Sequence, residues 1–225
     1  MKKLLFVVTS HTELGSTGRK TGFHFSEMGE PYAFLRGNGY AIDFVSPLGG
    51  AVRADGYDEA DPLQKQLMED DELQSKLADT LRPADIDPDT YAAIYYVGGH
   101  GTMWDFADNL ALQHITSKMF EDGKGVAAVC HGPAGLVNVK LSDGSFLVKD
   151  KNLAAFSDDE ERAINLDKVM PFLLESALVA RGAKYTKHPL WQENIEVDKN
   201  LITGQNPASA LSVGKALHEY LTKTQ

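Results

Sequence analysis

The sequence predicts an α/β fold with a mostly parallel sheet covered by helices on both faces. Two observations carry this. Short apolar runs such as Leu4-Leu5-Phe6-Val7-Val8 and Val126-Ala127-Ala128-Val129 have the length and texture of strands buried on both sides. Stretches of helical pattern alternate with them, which is the signature of β-α-β winding. The chain has 225 residues, 43% of them apolar and 24% charged, enough for one large globular unit and too apolar for disorder.

In chain order, residues 4–8 form the first strand. The helical stretch 27–37 leads into a second strand, Ala41-Ile42-Asp43-Phe44-Val45. Residues 53–89 then interrupt the alternation and are too long for a plain connection. Leu63, Leu67, Leu73, Leu77 and Leu81 are spaced for helical faces there, so this segment reads as a small helical cap. The third strand is Ala92-Ala93-Ile94-Tyr95-Tyr96-Val97, the next helix 109–122, and the fourth strand 126–129. Beyond it, 141–148 reads as a hairpin with Asp143-Gly144 at its turn. A short strand comes next at 152–156, then a helix over 167–182 closed by Gly182. Short strands at 195–197 and 200–203 precede a last helix, 207–221, with Asn206 as its N-cap and Pro207 at the first helical position.

The charge balance, 22 Lys and Arg against 32 Asp and Glu, gives −10 and argues against a nucleic-acid binder. Much of the acid falls within 55–89, as a solvated face would have it. No run approaches the ~18 apolar residues of a membrane span. Residues 4–8 are too short for a signal peptide's apolar region, so a cytosolic location is expected. A single cysteine, Cys130, rules out an internal disulfide and any paired-cysteine metal or redox motif.

Cys130 comes directly after a buried strand and is followed by His131-Gly132-Pro133-Ala134-Gly135. The pattern Ala128-x-Cys130-x-Gly132 resembles a nucleophile elbow, whose crowded backbone needs small neighbours. A helix starting behind the sulfur would lower the thiol pKa and favour the thiolate. The carboxyl end of a strand in an open parallel sheet is also where ligands bind. Gly98 and Gly99 lie in another such loop, and the backbone N–H groups of Gly99 and His131 are oxyanion donors in this reading. Trp104 and Trp191 are candidates for walls of the pocket.

Ala127-Ala128-Val129-Cys130-His131-Gly132-Pro133 resembles the nucleophile segment of the ThiJ/PfpI superfamily, and in particular its glyoxalase III and heat-shock-chaperone branch. The resemblance extends to Lys20-Thr21-Gly22-Phe23 with Glu27 and Pro31-Tyr32, and to Asp43-Phe44-Val45-Ser46-Pro47-Leu48-Gly49-Gly50. It also takes in Gly98-Gly99-His100-Gly101-Thr102 with Trp104-Asp105, and Thr203-Gly204-Gln205-Asn206-Pro207-Ala208-Ser209. It implies a flavodoxin-like three-layer sandwich in one domain over 1–225, with a cap insertion at about 53–89. It implies Cys130 as nucleophile, Glu27 rather than Glu30 as the carboxyl group beside it, and His131 in a triad with a downstream acid. Glu161 is the best match for that acid, with Glu160 and Asp158 close by in sequence. His100 contacts either substrate or its own loop.

The resemblance implies a cofactor-free conversion of methylglyoxal and water into lactate, with no metal, by a homodimer that acts on a small aldehyde. No metal-ligand spacing and no GxGxxG fingerprint stands in the chain. Other readings of the same cysteine are a redox sensor, a holdase chaperone for unfolded clients, and a cysteine peptidase or amidase. A glutamine amidotransferase triad is absent: its His-x-Glu would fall on His188-x-Leu190 or His218-x-Tyr220.

Overall fold

The structure is a computed structural model that describes residues 1–224. A six-stranded sheet forms its centre. Its strands are β1 (Lys3–Val7), β2 (Ala41–Val45), β3 (Tyr91–Tyr96), β4 (Gly125–Val129), β5 (Ile195–Asp198) and β6 (Leu201–Gly204). Their order is β2-β1-β3-β4-β6-β5, parallel except where β5 runs against β6 at the edge.

Side chains alternate across this sheet and bury two separate cores. Leu5, Val7, Ile94, Tyr96, Val126 and Ala128 face one side, under helix α4 (Leu110–Glu121). Leu4, Phe6, Tyr95, Ala127 and Val129 face the other, under α1 (Phe25–Gly37) and α7 (Ala210–Lys223). That double burial is why the strand runs carry no polar alternation. Asn109 caps α4 by accepting from the Leu112 backbone N–H.

The segment 53–89 holds α2 (Pro62–Met68) and α3 (Asp71–Ala78), each capped by an aspartate, Asp61 and Asp70. Leu67, Leu73 and Leu77 are buried in the α1 face of the core, while Leu81 is 39% exposed. The leucine pattern therefore packs onto the body of the sheet.

Four sequence expectations change. The 141–148 hairpin keeps its turn, with Gly144 at φ 82°, but only Lys140 and Phe146 bridge across it. Leu147 and Val148 are instead drawn fully into the core. The 152–156 strand pairs only at Asn152–Leu153, because the Phe156 N–H is taken by the Cys130 carbonyl. The helix expected over 167–182 is reduced to α6 (Leu174–Ala180), because Pro171 has no N–H to give and disfavours helix at Met170. The last helix begins with a 3-10 turn, Pro207–Ser209. Asn206 makes no side-chain cap; its amide donates to Glu160 Oε1 and the Gln192 carbonyl. Among the described residues no helix is long and apolar enough to cross a membrane.

Candidate active site

Cys130 stands at the carboxyl end of β4 with φ 59°, a left-handed conformation that a non-glycine residue holds only under constraint. Two bonds supply it: Cys130 N–H donates to the Gly204 carbonyl at 2.9 Å, and its own carbonyl accepts from Phe156 N–H at 2.8 Å. The turn is tight enough that a Cβ on Gly132 would lie 2.3 Å from the Tyr96 carbonyl oxygen. Gly132→Ala is therefore expected to cost ~2 kcal/mol or more, measured by chemical denaturation, since backbone rather than a mobile side chain must give way.

The elbow is as the sequence indicated, but no α-helix starts behind it. Gly132–Leu136 is a short 3-10 turn with little dipole to offer. Cys130 as a whole is also only 3% exposed. Burial, and then the neighbouring Glu27, push the Cys130 thiol well up, the reverse of the expected lowering. Deprotonation must come from a base at hand. His131 Nδ1 lies 3.3 Å from Sγ. On its far side, His131 Nε2 lies 2.7 Å from Glu161 Oε2.

Glu161 is reached through α5 (Asp158–Ala163), which opens with a capping box between Ser157 and Glu160. That box separates the three acids. Glu160 Oε2 accepts from Ser157, and its Oε1 accepts from Trp191 N–H and from Asn206. Asp158 accepts from the Ser176 hydroxyl. Glu161 alone of the three meets His131. It also takes His100 Nε2 at 3.1 Å on its other oxygen. Burial would raise Glu161, but the two imidazoles hold it at about 2. Burial and the adjacent His100 keep His131 below its usual range, and hence neutral. An ionised carboxylate only accepts, so each imidazole places N–H on its Nε2. This leaves His131 Nδ1 as an acceptor toward the thiol.

Glu27 approaches Cys130 from α1. It is fully buried, and neither of its oxygens has a hydrogen bond of good geometry. Burial raises it to about 8, while Cys130 and the Gly98 N–H offset part of that rise. It is therefore a neutral acid near pH 7. Gly98 is required here: a Cβ on it would lie 2.2 Å from Glu27 Oε2 and 2.8 Å from Cys130 Cβ. Pro31, inside α1, cannot donate back to the Glu27 carbonyl, and the Tyr95 hydroxyl takes that place at 3.0 Å. The proline thus frees a bond by which the sheet fixes Glu27. Glu30, the other candidate, is half-buried further along.

Among the described residues, neither Gly99 nor His131 donates its backbone N–H to a carbonyl; the His131 N–H faces the Cys130 sulfur, and both are within the site to meet an oxyanion. The Thr102 hydroxyl ties their loops together through the Gly99 and His131 carbonyls. His100 lies against His131, ring centroids 4.3 Å apart. Phe156 covers the other side of His131 at 4.3 Å, and Trp191 packs on Phe156 at 5.9 Å. Trp191 is half exposed and held at φ 65°, which places it at the rim of the site. Trp104 is not brought to the histidines. Its ring stacks on His11 at 4.9 Å and sits beside Gly15.

Three contributors escaped the sequence reading. His24 Nδ1 is 3.9 Å from Glu27 Oε1, and their i, i+3 spacing at a helix start was a usable signal. Tyr95 was signalled by Pro31 four residues after Glu27. Phe156 had no local signal, since the Cys130 carbonyl that holds it is distant in sequence.

Residues 20–154 match the DJ-1/PfpI family. The chain belongs to this family. It is 34% identical to the glutathione-independent glyoxalase HSP31 of Saccharomyces cerevisiae, over 94% of each chain. Among solved structures it is similar to the Rapid Encystment Protein 24 KDa of Francisella tularensis, with 36% identity, TM-score 0.95, and coverage of 98% and 99% of the two chains. It is also similar to glyoxalase III of Candida albicans, with 27% identity, TM-score 0.90, and 97% of each chain covered. These full-length overlays give the DJ-1/PfpI fold as a flavodoxin-like sandwich, in agreement with the sequence expectation.

Proposed function

We propose that the chain is a glutathione-independent glyoxalase that converts methylglyoxal and water into lactate. The observation that carries this is a buried carboxylic acid, neutral near pH 7, on one side of an elbow cysteine whose other side meets a His131–Glu161 pair. In this reading His131 Nδ1 takes the Cys130 proton as Sγ adds to the aldehyde carbon. His131 then returns it to the new oxygen, which the Gly99 and His131 N–H groups hold.

His131 next removes the hydrogen on that carbon while Glu27 protonates the neighbouring ketone oxygen, giving an enediol. Reversal of roles completes the shift. His131 delivers its proton to the former ketone carbon, and Glu27 recovers one from the first hydroxyl, leaving a lactyl thioester on Cys130. Water, deprotonated by His131, releases lactate and the thiol. Glu27 and His131 end in their starting states, and the net uptake is one water. The names of the relatives favour this enzyme over the holdase. Lactate formed from methylglyoxal by the purified protein, without glutathione, is the test; its absence at any pH refutes the reading.

Glu161 and Glu160 separate the reaction from the scaffold. Glu161→Gln is expected to lower kcat by about 10²–10⁴-fold with little change in melting, because the tautomer of His131 is no longer enforced. Glu160→Gln is expected to cost about 1–3 kcal/mol of stability and to spare kcat, because its carboxylate joins α5, Trp191 and Asn206. Parallel kinetics and thermal melts check both, and a silent Glu161→Gln would move the triad acid elsewhere.

A further inference from the structure

We propose that His100, His131 and Glu161 form a reversible site for a zinc-like divalent cation, and that its occupation switches Cys130 off. One donor atom from each of the three lies within 4.8 Å of the other two. Glu161 reaches both imidazoles, one with each oxygen: His100 Nε2 lies 3.1 Å from Oε1 and His131 Nε2 lies 2.7 Å from Oε2. A tetrahedral zinc at ~2.0–2.1 Å from each ligand needs its ligands ~3.3 Å apart. Those two contacts need to open by ~0.6 Å or less, and any donor pair as wide as 4.8 Å needs to close by ~1.5 Å, a side-chain adjustment and not a refolding.

Two imidazoles and one carboxylate are ligands that zinc accepts, with a fourth position left to water. The donors come from three elements already fixed by the fold: the loop after β3, the elbow and the start of α5. His131 and Glu161 are buried, while the His100 side chain is 21% exposed and gives the ion its way in.

The ring protons decide what the ion does to the thiol. A neutral imidazole carries one. Without the ion it sits on His131 Nε2 and is donated to Glu161. An ion on Nε2 takes that lone pair, so the proton moves to Nδ1. Nδ1 faces Sγ at 3.3 Å. As an N–H it can no longer accept the thiol proton, and Cys130 stays a thiol although the ion never touches sulfur. Binding stands on donor geometry alone; switching rests on the glyoxalase reading.

The test begins with Cys130→Ser, so that sulfur cannot be a ligand. Cobalt(II) replaces zinc as a visible probe of tetrahedral coordination. We expect one cobalt per chain by calorimetry, the intense visible bands of a tetrahedral site, and displacement by zinc. His100→Asn in the same background should weaken cobalt by ~10-fold or more, since losing a direct ligand costs at least as much as losing a group behind one. Glu161→Gln should do likewise, with melts confirming that each variant is folded. No cobalt bands in Cys130→Ser, or equal affinity after His100→Asn, overturns the site. In the wild type, zinc should suppress lactate formation and a chelator restore it. Zinc bound with turnover unchanged overturns the switch, whereas no lactate with or without chelator refutes the glyoxalase reading and leaves the binding result standing.

Discussion

Cys130→Ser leaves a folded protein that forms lactate from methylglyoxal at background rate, a loss of ~10⁴-fold or more. Serine is close to cysteine in size, and the left-handed backbone at position 130 is held by bonds to Gly204 and Phe156 that the substitution does not touch. Melting should change little. The chemistry changes greatly. A thiol is the better nucleophile and the easier acid, and His131 is a neutral imidazole with only moderate basicity to spend. Burial has already raised the thiol, and it would disfavour a serine alkoxide far more. Lactate assays on matched preparations check this; comparable turnover in the variant would remove the nucleophile and the proposed function with it.

Glu27→Gln is expected to lose ~10²–10⁴-fold in kcat while gaining stability at neutral and alkaline pH. The loss arises because an amide cannot give a proton to the ketone oxygen and take one back. The gain comes from linkage. Folded Glu27 titrates at about 8 against an ordinary 4.5, chiefly because it is buried. Between those values the folded protein holds a proton that the unfolded chain has released, so wild-type stability falls as pH rises. This contribution is fully present below ~4.5 and is lost on passing through ~8; its upper bound is roughly 5 kcal/mol. Glutamine has no such slope. Melting temperatures from about pH 5 to about pH 8 should therefore diverge, the variant becoming relatively more stable. Wild-type kcat should also fall above about pH 8 as the acid form is titrated away. Parallel melting curves would show that Glu27 is not a buried neutral acid.

Much of this was legible in sequence because it is local. Strand runs buried on both faces show as uninterrupted apolar residues, as at Leu4–Val7. The elbow shows because a tight turn tolerates only small residues at 128 and 132. Cys130 was singled out on such local pattern together with the family resemblance, whereas Glu27 and the triad role of His131 came from the resemblance.

The features that sequence left open depend on groups far apart in the chain. Three neighbouring acids, Asp158, Glu160 and Glu161, look alike in order; only the helical rotation set by the Ser157 capping box sends Glu161 to His131 and Glu160 to Trp191 and Asn206. Trp104 and Trp191 were equal candidates, and packing sent one to His11 and the other to Phe156. The thiol's pKa shifted opposite to the local rule, because desolvation by the whole fold outweighs a short 3-10 turn. Local sequence sets which turn a residue can make and which face it offers. Burial, and the partner that burial forces on a charge, are sums over the entire structure, and they decided which of these groups are acids, bases or scaffold.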